Sequence, residues 1–176
     1  MAMIRRAVVS DVFQVAALYH SVWHETQAPF MPQGEIRRRS PDFFADRITT
    51  LLQSTLVTEQ NQEIVAFAAW RGPILGQLFV ATAYRGTGTA SSLLSASEIE
   101  MAREGITVAE LHCVVGNERA RRFYERMGWL HKGQIMEPVM GEVGEIEMPF
   151  WRMIKILSAC DRGNSPLPRV VRQVVE

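Results

Sequence analysis

FVATAYRGTGTASSLL, residues 79–94, is the stretch on which the reading of this chain turns. An apolar strand ends, Arg85-Gly86-Thr87-Gly88-Thr89-Ala90 follows at once, and a helical pattern opens behind it. A plain turn needs one glycine. Two glycines flanked by threonines imply a backbone that must come close to something. The first amides of a helix lack internal partners, and its N-terminus carries about half a positive charge. A loop of this kind accepts an anion, most often a phosphate. Arg85 adds a planar fork of donors, and Thr87 and Thr89 add hydroxyls. A purely structural turn is the alternative reading of the stretch taken alone.

Two phosphate-binding patterns fail here. A P-loop requires Gly-Lys-Ser/Thr after its first glycine, and no lysine follows Gly88. The dinucleotide fingerprint requires a third glycine or alanine where Ser91 stands. Its acidic partner at the end of a following strand is missing as well.

The flanking pattern predicts a run of strands interrupted by helices. Met3–Val9 reads as a strand, and Ser10-Asp11 as the cap of a helix reaching about Trp23. Thr26–Gly34, with Pro29 and Pro32, reads as a loop, and Pro41–Gln53 as a helix with Phe43, Phe44, Ile48 and Leu51 on one face. Leu56–Glu59 and Ile64–Trp70 form a hairpin signal around Gln60-Asn61-Gln62, and Leu75–Ala81 continues the sheet. A helix follows over Thr89–Glu104, ended by Gly105, then a strand over Val108–Val115. Asn117 caps a helix through Met127, and strands at Trp129–Ile135 and Ile146–Leu157 flank a loose segment, Glu137–Gly144. The order β-α-α-β-β-β-α-β-α-β-β predicts a mixed α/β (α+β) sheet.

Length and composition narrow the rest. A chain of 176 residues argues for one domain, here residues 1–157. The polar stretch from Ser158, with Pro166 and Pro168, reads as a tail that is flexible or docks through Val170, Val171, Val174 and Val175 on a partner subunit. Nineteen basic residues balance nineteen acidic ones, so no overall charge draws the chain to nucleic acid or an anionic membrane. No stretch reaches the roughly 20 apolar residues of a membrane span. Cys113 and Cys160 form no framework, which fits free thiols in a reducing, cytoplasmic setting. His20 and His24 have chelating spacing, but no third ligand is evident, so no metal site is expected.

Arg85-x-x-Gly88-x-Ala90, followed by Asn117-x-x-Ala120-x-x-Phe123-Tyr124-x-x-x-Gly128-Trp129, resembles the two signatures of the GCN5-related N-acetyltransferase (GNAT) superfamily, with tryptophan for its closing phenylalanine. The element order is similar too, and the likeness covers roughly residues 3–157. It implies a largely antiparallel sheet whose strand before the loop is bulged and splays from its neighbour. Acetyl-CoA is expected in the opening as cosubstrate. By resemblance, its pantetheine pairs with the backbone of Leu78, Phe79 and Val80, with Val80 also serving the thioester oxygen. Its pyrophosphate lies on the amides of Arg85, Gly86, Thr87, Gly88, Thr89 and Ala90. Asn117 has two readings, a helix cap and a pantetheine ligand. Tyr124 also has two: a core tyrosine by periodicity, or, by resemblance, the acid that protonates the leaving thiolate.

The implied reaction is direct attack by a primary amine, of a small molecule or a protein, through a tetrahedral intermediate. The glutamate that relatives often carry on the splayed strand is absent, since that strand reads Leu75-Gly76-Gln77. Glu25, His24 and His112 are the candidate bases, and Cys113 reads as core. The Arg37-Arg38-Arg39 run reads as a solvated face or a contact for an acidic substrate or the cofactor phosphates. A non-catalytic coenzyme A-binding or protein-interaction domain is the alternative function. A homodimer is compatible with family habit. The loops Thr26–Gly34 and Glu137–Gly144 are expected to shape the acceptor pocket.

Overall fold

Ile64–Trp70 is buried along its whole length. A strand that alternates nothing but apolar residues must be covered on both faces, and in the computed structural model, which describes residues 2–158, it lies inside a seven-stranded sheet. The strands are β1 Met3–Arg6, β2 Thr55–Gln60, β3 Glu63–Arg71, β4 Ile74–Val80, β5 Val108–Val114, β6 Leu130–Met140 and β7 Glu145–Ile156. Their order across the sheet is β1-β2-β3-β4-β5-β7-β6. Every neighbouring pair is antiparallel except β4 and β5. The mixed, largely antiparallel sheet expected from the sequence is thus present.

Helices α1 Val12–Thr26 and α3 Pro41–Leu51 cover one face, where Tyr19, Phe44, Phe67 and Phe79 form an aromatic cluster. Helices α4 Thr89–Arg103 and α5 Glu118–Arg126 cover the other. Ala66 and Ala68 keep β3 thin on that side, so Leu93, Leu94 and Met101 of α4 pack closely over it. Trp129 is fully buried beneath α4, its indole donating to Glu98 at 2.9 Å. Lys155 donates to the same Glu98 and to the Met127 carbonyl, both at 2.7 Å, closing the C-terminal end of α5. No helix of the described residues is long and apolar enough to cross a membrane.

Three expectations are corrected. Glu137–Gly144 is not loose: β6 runs on to Met140, and only the turn before Glu145 remains. Its partner supplies the ladder, which Pro138 and the flanking polar residues conceal in the sequence. Thr26–Gly34 is not one loop, because a 3-10 turn forms at Ala28–Phe30 and a short helix, α2, spans Gln33–Arg38. That helix has too few residues for an apolar period and is held by tertiary contacts. Finally, β1 ends at Arg6, and Asp11 does not cap α1 through its side chain. Its carboxylate instead accepts from Arg5 at 2.7 and 3.0 Å and from the Val8 amide at 2.8 Å. The final valines and Cys160 lie outside the described residues.

Candidate active site

β4 and β5 touch at one end only. Ile74 pairs with Glu110, and the Glu110 amide donates to the Pro73 carbonyl at 2.8 Å. Beyond that point no pairing is formed between them, and the sheet opens. On its other edge β4 stays bound to β3, with a bulge where Ala69 faces Gln77 and Trp70 faces Leu75, leaving Gly76 as the extra residue.

Ladder parity then decides which backbone groups face the opening. The Ala81 amide donates to the Val65 carbonyl at 2.8 Å. Bonded pairs alternate in an antiparallel ladder, so Phe79 and Gln77 also spend their main-chain groups on β3. Leu78 and Val80 turn theirs toward β5. Phe79 therefore differs from its two neighbours: its backbone is committed, and its buried ring stacks on Phe67 at 5.6 Å.

β4 runs into a 3-10 turn at Thr82–Tyr84 and then the glycine loop. Gly86 and Gly88 have φ of +74° and +86°, and a β-carbon on either would meet nothing within 4 Å. The space above them is open. Gly88 stands at the N-cap of α4 with no side chain capping the helix, and the first helical bond runs from the Ser92 amide to the Gly88 carbonyl. The amides of Thr89 and Ala90 are free for an anion. Thr87 braces the loop by donating to the Tyr84 carbonyl at 2.6 Å and lies 2.8 Å from the Thr89 hydroxyl. Arg85 does not offer its fork to this space. It grips Glu25 of α1 at 2.6 and 3.2 Å, and Thr82 donates to the same carboxylate at 2.9 Å.

Across the opening, Asn117 caps α5 by accepting from the Ala120 amide at 3.2 Å. Two turns on, Tyr124 packs edge-on to Phe123 and Trp129 and is half-buried. Burial pushes its phenol well above the ordinary value, and nearby Cys113 adds to this. Among the described residues its hydroxyl has no hydrogen-bond partner. Burial likewise pushes the Cys113 thiol up to about 12, so it is an inert core group.

The candidate bases separate clearly. Glu25 is held below the usual carboxylate range, first by Arg85 and then by Thr82, and is a poor proton acceptor. His24 bonds the Arg39 carbonyl at 2.9 Å and stacks on His20 at 4.5 Å, a packing role. Among the described residues no group of three or more His, Cys, Asp or Glu is placed to hold a metal. His112 sits between two carboxylates, with Glu137 at Nδ1 and Glu110 at Nε2, the latter 2.8 Å away. Glu137 above all, then Glu110, raises the imidazole over its ordinary value in spite of burial. Arg152 donates to Glu110 at 2.6 Å and holds it in the ionised form.

Because β4 and β5 are parallel, residues 112 and 114 lie across the opening from 76 and 78. Glu110 and Glu137 were not singled out in the sequence. The i, i+2 spacing of Glu110 and His112 on one strand was the available signal, while Glu137 lay in a stretch that reads as loop.

The far end of the opening is roofed by the two segments expected to shape it. Phe30 and Met31 pack on Val114, Val139 and Phe150. Buried Glu35 of α2 accepts from the Met140 amide at 2.8 Å and from Arg39 Nε at 2.6 Å. Arg38 pairs with it more loosely at 3.3 Å, so part of the arginine run has an internal role.

A family model described as acetyltransferase (GNAT) family matches residues 15–129. No curated protein matches the chain significantly. Among solved structures, a GCN5-related N-acetyltransferase from Rhodopseudomonas palustris is 20% identical, with a TM-score of 0.71 over 89% of this chain and 96% of that one. YncA from Salmonella typhimurium, solved with its cofactor acetyl-CoA, is 21% identical, with a TM-score of 0.67 over 94% and 98%. PaiA N-acetyltransferase from Thermoplasma acidophilum, solved with coenzyme A, is 18% identical, with a TM-score of 0.63 over 89% and 99%. With both signatures, the splayed sheet and the family match in agreement, the chain belongs to the acetyltransferase (GNAT) family.

Proposed function

We propose that this protein transfers an acetyl group from acetyl-CoA to a primary amine, with both substrates bound together and no acetylated enzyme. The observation that carries the reading is the pair of main-chain edges at Leu78 and Val80 that β3 leaves uncommitted where β4 parts from β5. Acetyl-CoA supplies an activated acetyl thioester and a thiol leaving group. Leu78 and Val80 would hold its pantetheine by backbone bonds, and the amides from Gly86 to Ala90 would hold its pyrophosphate, the Arg85 amide being spent instead on the Thr82 carbonyl at 3.2 Å. Phe79, bonded to β3 with its ring in the aromatic core, would hold this edge in place, and Asn117 keeps its amide nitrogen available after capping α5.

Each residue then has a chemical task. The Val80 amide donates to oxygen as negative charge develops on it. Tyr124 delivers a proton to sulfur. A phenol is ordinarily a weaker acid than a thiol, so the transfer is uphill and depends on close placement. The Glu137–His112–Glu110 cluster receives the proton of the amine, neutral His112 taking it at the ring nitrogen that one of the two carboxylates releases. An alkylamine has a pKa of about 10.4 and needs such an acceptor near neutral pH. The carboxylates of Glu110 and Glu137 raise the imidazole toward that value and narrow the gap.

Incubating the protein with acetyl-CoA and an amine panel should release free thiol. Tyr124→Phe should lower turnover at saturating acetyl-CoA by about 10²- to 10⁴-fold. Tight acetyl-CoA binding without acetylation of any amine would instead favour a non-catalytic coenzyme A-binding domain.

A further inference from the structure

A groove of about 500 Å³ runs between α3 and the start of β4, lined by Phe43, Asp46, Arg47, Arg71, Gly76 and Gln77 among others. Its floor includes the bulge, and it ends at Ile74, where β4 parts from β5. The inner end of the groove thus meets the vertex from which β4 and β5 diverge.

Strand register orders the charges around it. Arg71 pairs with Ile74, and Ile74 with Glu110, so the three stand in one row across β3, β4 and β5. Two strand spacings separate the backbones of Arg71 and Glu110, roughly 10 Å. The Arg71 side chain can shorten that span from its end, while Glu110 is held toward β7 by Arg152 and toward His112. At the β5 end lie Glu110, His112 and Glu137. At the other end lie two exposed guanidiniums, Arg47 and Arg71, neither ion-paired among the described residues. Buried Gln77, with its amide turned to satisfy both atoms, donates to the Ala69 carbonyl at 3.3 Å. It then accepts from Arg47 Nε at 3.2 Å and Nη2 at 3.3 Å, which leaves the Nη1 side of Arg47 for a ligand. Asp46 is the one carboxylate lining it, so two positive charges face one negative charge.

We propose that this groove selects acceptors carrying a carboxylate as well as the amine, the amino acid class. The carboxylate docks on Arg47 and Arg71, and the amine reaches from there toward His112 on β5. The inference rests on the acetyl-transfer reading and adds the acceptor's chemistry to it. A bare alkylamine would satisfy only the β5 end. A guanidinium matches a carboxylate with two parallel bonds, which makes arginine the apt recognition group.

Matched pairs test it: phenylalanine against phenethylamine, and 4-aminobutyrate against butylamine, with thiol release as the readout. The carboxylated member of at least one pair should have the higher kcat/KM. Arg71→Gln and Arg47→Gln should raise KM for that member by about 10-fold or more and leave both phenethylamine kinetics and acetyl-CoA affinity unchanged. Arg71 is exposed and serves no buried group, so Arg71→Gln should fold and is the deciding variant, whereas Arg47 also satisfies buried Gln77. Calorimetric titration of phenylalanine and 4-aminobutyrate into the coenzyme A-saturated protein gives a readout independent of turnover. Binding that Arg71→Gln abolishes sustains the groove assignment even if no amine is acetylated, in which case only the acetyl-transfer reading falls. Equal kcat/KM within both pairs, or carboxylate binding unaffected by either substitution, would overturn the inference while acetylation of the panel kept the broader reading intact.

Discussion

Gly34 lies so close to Gly141 that a β-carbon on Gly34 would sit 1.8 Å from the Gly141 carbonyl oxygen. This contact seams α2 to the turn after β6, and the two segments together roof the acceptor end of the opening. The neighbour is main chain and cannot swing aside. Gly34→Ala should therefore cost about 1–3 kcal/mol and raise the acceptor KM while acetyl-CoA affinity is retained. Denaturant melts and steady-state kinetics on the same preparation check both parts.

Glu35 ties the same seam by its charge. Burial alone would push its carboxyl up, but the Met140 amide and the Arg39 and Arg38 guanidiniums outweigh it, and the net shift is downward. A depressed folded pKa adds stability above the unfolded value of about 4.3, and that stability is lost as pH falls through the lowered one. Glu35→Ala leaves Arg39 largely buried without its partner, and should cost about 3–5 kcal/mol at neutral pH. The difference between variant and parent should shrink in acid, which urea titrations over a pH series would reveal.

Gly88 separates strain from ligand clash. Its φ of +86° disfavours any side chain, at about 1–2 kcal/mol, yet the space a side chain would enter is empty of protein. Gly88→Val should give a folded protein, moderately destabilised, whose acetyl-CoA affinity drops by more than tenfold because the side chain occupies the diphosphate position. Calorimetry showing undiminished affinity in a folded sample would remove the loop from the cofactor site.

The pH dependence of kcat/KM should identify the base. If neutral His112 accepts the amine proton, activity rises with pH through a limb above about 6.5. Glu137→Gln removes the main interaction raising that imidazole, so the limb should move to lower pH. Glu25→Gln should leave the limb in place, because Glu25 is spent on Arg85 and Thr82. A limb that moves with Glu25 and not with Glu137 would reverse the assignment.

The glycine loop, the Asn117 cap, the apolar face of α5 and the hairpin that includes β3 were all legible in the residues themselves. Each rests on local rules: positive φ demands glycine, an unpaired amide demands a cap, and burial demands an apolar period. What local rules cannot state is which partner a polar group will meet across the fold. Asp11 looks like a helix cap and serves Arg5. Arg85 looks like a phosphate ligand and serves Glu25. Glu137 looks like loop, and β7 makes it strand and brings it to His112. The direction in which Leu78, Phe79 and Val80 turn their backbones likewise depends on the β3–β4 register, which the whole ladder from Ala66–Val80 to Arg71–Ile74 sets. Periodicity and turn chemistry act over a few residues, so they specified elements and the loop. The pairing of charges, and with it the acceptor end of the site, emerges only when residues far apart in sequence pack together.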